Sequence, residues 1–175
     1  TPMNAIIGMA HLMRRDGVTP RQAERLDKIN IAGQHLLEVI NGILDLSKIE
    51  AGTMEFSYGE VNAGALCTEI VESMRLRNPQ GVTLSLAEGL SECHFLGDRA
   101  RITQVLTNFI TNAQKFTEQG HIRLGYAVRE DDTVRFYVED TGIGIEAERQ
   151  EEIFNRFIKL DSFKQGTGLG LPICK

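Results

Sequence analysis

Between residues 19 and 52 the apolar side chains recur at alternating intervals of three and four, a pattern that restricts the fold more than any other in the chain. Leu26, Ile29, Gly33, Leu36, Ile40, Ile43 and Ser47 make up the series. That is the spacing of a helical seam facing another helix, with Gly33 allowing close backbone approach. Thr19-Pro20 reads as an N-cap with proline at the first helical position, and Ile49-Glu-Ala-Gly52 as the stop. Upstream, Met3, Ile6, Ile7, Ala10 and Met13 mark one face of a shorter helix that Asp16-Gly17 breaks. Two antiparallel helices this apolar cannot cover themselves. A homodimer through residues 1–52, forming a four-helix bundle, is the expected solution, and packing on the rest of the chain is the alternative.

Beyond residue 53 the period changes. Residues 54–58, 82–87 and 93–96 read as strands, 61–77 as a helix ending before Asn78-Pro79, and 99–115 as a helix capped by Asp98. On that last helix Ile102, Val105, Leu106, Phe109, Ile110 and Ala113 form the buried side. Residues 121–129 and 133–139 read as a hairpin joined by Glu130-Asp131-Asp132. Helices alternating with a mostly antiparallel sheet predict an α+β, two-layer sandwich over residues 53–175.

The 175 residues suffice for such a domain plus the hairpin, and a net charge of −5 without a Lys/Arg cluster argues against a nucleic-acid surface. Cys67, Cys93 and Cys174 are odd in number and contain no C-x-x-C pair. A disulfide framework or zinc site is therefore not expected, and a reducing compartment fits. No apolar run reaches membrane-spanning length. The cytoplasm is the expected location, with any membrane attachment through segments outside this sequence.

The chemistry concentrates in four places. Asn108 and Asn112 stand at i and i+4 and face one side, followed by Lys115. Two amide oxygens can orient a hydrated Mg²⁺ and a lysine suits phosphate, although asparagines on a helix also commonly face solvent. Asp140-Thr-Gly-Ile-Gly-Ile145 joins a carboxylate, able to accept from the amine of a base, to a flexible turn. Gly166-Thr-Gly-Leu-Gly-Leu171 supplies a second turn whose backbone N–H groups can approach phosphates. Phe154 and Phe157 lie between the turns, as core residues or as anchors of a mobile lid, and Lys159 and Lys164 read chiefly as solvated charge.

In this order and approximate spacing these elements resemble the N, G1, F and G2 boxes of sensor histidine kinases. Thr1-Pro-Met-Asn-Ala-Ile-Ile-Gly8 resembles the second half of that family's H box. Leu44-Asp-Leu-Ser-Lys-Ile-Glu-Ala-Gly52 resembles the end of its dimerisation hairpin, particularly in hybrid kinases. The resemblance covers essentially the whole chain and implies an ATP-binding domain of the histidine kinase, Hsp90 and gyrase type. It implies that Asp140 accepts from the adenine amine and that Gly142 and Gly144 form the adenine-side turn. Asn112 with Asn108 would hold Mg²⁺, Lys115 would contact phosphate, and Gly166, Gly168 and Gly170 would hinge the lid. It further implies transfer of the γ-phosphoryl group to a histidine and relay to an aspartate of a response-regulator receiver domain.

Hydrolytic relatives carry a water-activating Glu where this helix has Asn108, and an amide cannot act as a general base. An ATPase clamp of the same superfamily is thus the weaker alternative, and a non-catalytic dimerisation scaffold is another. The family's acceptor histidine is expected about four residues before Thr1-Pro2. His11 lies beyond the motif, and His35, His94 and His121 fit no ligand spacing. The chain by itself is therefore expected not to autophosphorylate.

Overall fold

The computed structural model describes residues 2–155, 158 and 168–174. It divides into two compact units, Thr1–Met54 and Glu55–Lys175.

The first unit is a helical hairpin of α1 (Pro2–Arg15) and α2 (Pro20–Glu50). Thr19 and Gln22 form a reciprocal capping box. The Thr19 N–H donates to Gln22 Oε1 at 2.9 Å, and the Gln22 N–H donates to Thr19 Oγ1 at 3.4 Å. Gly52, with φ of 65°, follows the C-cap residue Ala51, and only glycine adopts that conformation without cost. An Arg14–Asp27 ion pair and the seating of Ile7 against Gly33 set the two helices antiparallel.

The seam predicted for α2 splits into two. Leu26 and Gly33 are buried, together with Asn30, Gly42 and Leu46. Ile29, Leu36, Ile40 and Ile43 keep 40–46% of their surface. The reason is geometric. At 1.5 Å per residue α1 runs about 21 Å against about 46 Å for α2, so it can shield only part of one side.

The second unit places helices on one face of a sheet. Strand β1 (Gly59–Asn62) pairs antiparallel with β3 (His94–Gly97) in a small ribbon. The main sheet has the order β2-β4-β5, with β2 (Val82–Leu86) parallel to β4 (Gly120–Val128) and β4 antiparallel to β5 (Val134–Asp140). Against it lie α3 (Ala63–Arg75) and α4 (Arg99–Phe116). Alternation along β4 turns Ile122, Leu124 and Tyr126 inward, where they meet Leu66, Ile70, Leu106 and Ile110. Two 3₁₀ turns, Ala147–Arg149 and Glu152–Phe154, and the short α5 (Gly170–Ile173) complete the described chain.

Two sequence expectations need correction. Residues 54–58 form no strand, and the first strand begins at Gly59. The Ser57 N–H goes to the Asp98 carboxylate at 2.8 Å instead of joining a ladder, so β-favouring Phe56 and Tyr58 have no strand to pair with. Helix α3 starts at Ala63 rather than 61, because Asn62 caps it by accepting the Ala65 N–H at 2.8 Å. The cap expected at Asp98 is present, with Oδ1 accepting the Arg101 N–H at 3.0 Å.

Ile110 is fully buried at the centre of this core. Ile110→Ala should lower unfolding free energy by about 2–5 kcal/mol in urea titration, the range for a large-to-small change in a packed core. The Arg101 and Ser57 N–H groups hold the Asp98 carboxyl below its ordinary value of 3.8. A depressed folded pKa gives stability that is complete above the unfolded value and is lost as pH falls through the lower folded one. The stability difference between the protein and Asp98→Asn should therefore shrink below about pH 4, as read from urea midpoints across the acid range.

Candidate nucleotide-binding site

The site is organised on α4. Its inner face, Leu106, Ile110 and Ala113, is clamped in the core, which fixes the rotation of the helix. Asn108, Asn112 and Phe116 then follow one another at intervals of four along a broad second face, spanning about 12 Å of helix axis. The two glycine turns are held at opposite ends of that row.

At the C-terminal end the turn after β5 packs against backbone. A Cβ on Gly142 would lie 2.6 Å from the Phe116 carbonyl oxygen and 2.8 Å from Asp140 Oδ1, so no other residue fits there unshifted. The same Phe116 carbonyl accepts the Ile143 N–H at 3.3 Å. Asp140 Oδ1 accepts the Gly142 N–H at 2.8 Å. Asp140 Oδ2 has no hydrogen-bond partner among the described residues, and the side chain is exposed. Gly144, with φ of 70°, completes a turn that an L side chain would strain. Thr141 carries the pairing past the end of β5, exchanging hydrogen bonds with the His121 backbone.

At the other end of the row, the Asn108 amide donates to the Gly170 carbonyl at 3.3 Å and to Cys174 Sγ at 3.7 Å. Burial pushes the Cys174 thiol up, and the Asn108 hydrogen bond partly opposes this. Leu169, almost fully buried, anchors the entry to α5, and Gly168 has φ of 69°. Asn112 lies between the two turns, half-buried, with no side-chain hydrogen bond among the described residues. Lys115 Nζ lies 4.9 Å from the Phe116 ring centroid. Gly166, Phe157, Lys159 and Lys164 lie outside the described residues.

The donor set is one of positioning rather than acid–base chemistry. Asp140 offers a carboxylate oxygen without a donor, and Asn108 and Asn112 offer amide oxygens. Among the described residues no group of three His, Cys, Asp or Glu could hold a metal ion. Neutral amide oxygens nevertheless suit a hard cation that keeps most of its waters and phosphate ligands. The sequence did not indicate the Phe116 carbonyl as the dock for the first turn. The only available signal was a glycine two residues after an aspartate, and many ordinary turns share it.

Among the described residues no helix is long and apolar enough to cross a membrane. Residues 97–175 match the family described as histidine kinase-, DNA gyrase B- and HSP90-like ATPase, and residues 1–52 match the His Kinase A (phospho-acceptor) domain. The whole chain is 37% identical to hybrid signal transduction histidine kinase B of Dictyostelium discoideum. It is 38% identical to the circadian input-output histidine kinase CikA of Synechococcus elongatus. It spans only 9% and 24% of those two proteins. The crystal structure of full-length ShkA in complex with AMPPNP is 33% identical, with a TM-score of 0.83 over 98% of this chain and 36% of that one. With an α+β ATPase-type domain, a phospho-acceptor hairpin and relatives of this kind, the chain belongs to the sensor histidine kinases, of which it forms a transmitter core.

Proposed function

We propose that residues 53–175 bind ATP with Mg²⁺ and deliver the γ-phosphoryl group to a histidine of the phospho-acceptor hairpin, residues 1–52 belonging to that hairpin. The phosphoryl group would then pass to an aspartate on a response-regulator receiver domain, and the reaction would take place in the cytoplasm. The observation that carries this reading is the docking of both glycine turns on one face of α4. Gly142 lies against the Phe116 carbonyl and Gly170 against Asn108, with Asn112 between them.

In this reading Asp140 accepts from the adenine amine through Oδ2, while Oδ1 keeps the turn closed on Gly142. Gly144 and Gly168 supply the left-handed backbone of the two turns, and Gly166 belongs to the second. Asn112 and Asn108 present amide oxygens to Mg²⁺, and Lys115 contacts phosphate. The cation, when bound, neutralises charge on the phosphate oxygens. Positioning and charge neutralisation supply most of the catalysis in phosphoryl transfer, in keeping with a site poor in acids and bases. Asn108 also speaks against a hydrolytic clamp, since an amide cannot take a proton from water.

Isothermal calorimetry with ATP and excess Mg²⁺ should give saturable binding. With its oxygen kept on the Gly142 N–H, Asp140→Asn places an amide NH2 donor where an acceptor is needed and should weaken binding by roughly tenfold to a hundredfold, the value of a charge-assisted hydrogen bond. Equal affinity in the two proteins, or no uptake by folded protein, would overturn the assignment.

The hairpin supports a homodimer. Ile29, Leu36, Ile40 and Ile43 on α2, with Ile6, Met9 and Met13 on α1, leave an exposed apolar surface that a second copy would cover. Sedimentation of Leu36→Glu/Ile40→Glu should show a monomer at concentrations where the parent chain sediments as a dimer, with dimer dissociation strengthened at least about tenfold. An unchanged dimer would place the interface elsewhere.

A further inference from the structure

Asp98 uses its two carboxylate oxygens for different tasks. Oδ1 caps α4 through the Arg101 N–H at 3.0 Å, and Oδ2 accepts the N–H of Ser57, a residue 41 positions earlier, at 2.8 Å. The side chain is only 9% exposed, and Phe56, Arg101 and Gln104 line the groove beside it. Ser57 lies before the first ladder pair, Gly59 with Gly97, in a stretch without strand structure. Among the described residues the Asp98 bond is therefore the first hydrogen bond that fixes the chain entering this domain.

On the hairpin side, the Thr53 N–H is held by the Lys48 carbonyl at 2.9 Å. Met54, Glu55 and Phe56 separate these two fixed points, and none of them makes a hydrogen bond among the described residues. Four Cα steps reach at most about 14 Å. If the Ser57 bond opens, the next fixed residue is Gly59, and six steps reach about 21 Å.

We propose that Asp98 is a positioning residue that sets the length of the leash between the ATP-binding domain and the phospho-acceptor hairpin. The inference rests on the reading that a phosphoryl group passes from one to the other. Travel of the domain is bounded by the leash, and opening the clasp lengthens its reach by about half. The clasp is built onto the N-terminus of α4, the helix that also carries Asn108, Asn112 and Lys115.

Two substitutions separate the tasks. In Asp98→Asn the amide oxygen still caps Arg101, but the other position becomes a donor facing the Ser57 N–H. Ser57→Pro deletes that N–H and leaves Asp98 intact. In the 175-residue chain, amide exchange followed by NMR should show Ser57 exchanging roughly tenfold faster or more in Asp98→Asn, with α4 amides still protected. Distance distributions between spin labels on exposed Gln34 and Glu130 should broaden in both variants, while ATP affinity by calorimetry stays unchanged. Unaltered Ser57 exchange, equal loss of protection along α4, or unaltered label distributions would each overturn the proposal. Failure of the parent chain to bind ATP would instead count against the reading of the nucleotide site, leaving the clasp to be judged on its exchange result.

Discussion

The Phe116 carbonyl at the end of α4 is the contact on which the candidate site depends. It receives the Ile143 N–H and leaves no room for a side chain at position 142, so the first glycine turn is registered against helix backbone. The helix in turn cannot rotate, because Leu106, Ile110 and Ala113 are locked between α3 and the sheet. Backbone docking of this kind is hard to replace. A side-chain contact can be rebuilt by a different rotamer, whereas a glycine under a carbonyl allows no alternative residue.

Both ends of α4 are thus tied to other parts of the chain. Asp98 joins the first turn to the segment that enters the domain, and Phe116 joins the last turn to the loop after β5. Asn108 adds a tie in between, through the Gly170 carbonyl. The half-buried row of polar side chains stands on a helix whose opposite face is apolar and packed, which is the arrangement preorganised electrostatics require. Burial, rather than catalytic need, also explains the thiols: Cys67, fully enclosed in the core, is pushed up to about 11 and stays inert as a nucleophile.

Much of this was legible from local rules. The Thr19 cap, the Gly17 and Gly52 breaks and the Asp98 cap depend on backbone chemistry within a few residues, which sequence records directly. The extents of β2, β4 and β5 also lie within a residue or two of their alternating patterns. The largest misreading occurred where a distant partner decided the outcome. Residues 54–58 look like a strand but give an N–H to a carboxylate 41 positions away. Along α2 the helical period is as read, and a short α1 covers only part of one side, leaving Ile29, Leu36, Ile40 and Ile43 as the apolar surface for which a second copy is proposed.

By itself the sequence determined the identity of the chemical groups and the helical or extended period that presents them, because both are properties of neighbouring residues. It also settled that position 108 carries an amide, and hence the absence of a general base there. Tertiary structure alone decided that Asp140, Asn112 and Gly170 are arranged along one helix, and that Ser57 is bonded to the start of that helix. Those relations depend on contacts between residues far apart in the chain. They arise only when burial of Ile110 and its neighbours closes the core and brings the loops onto α4.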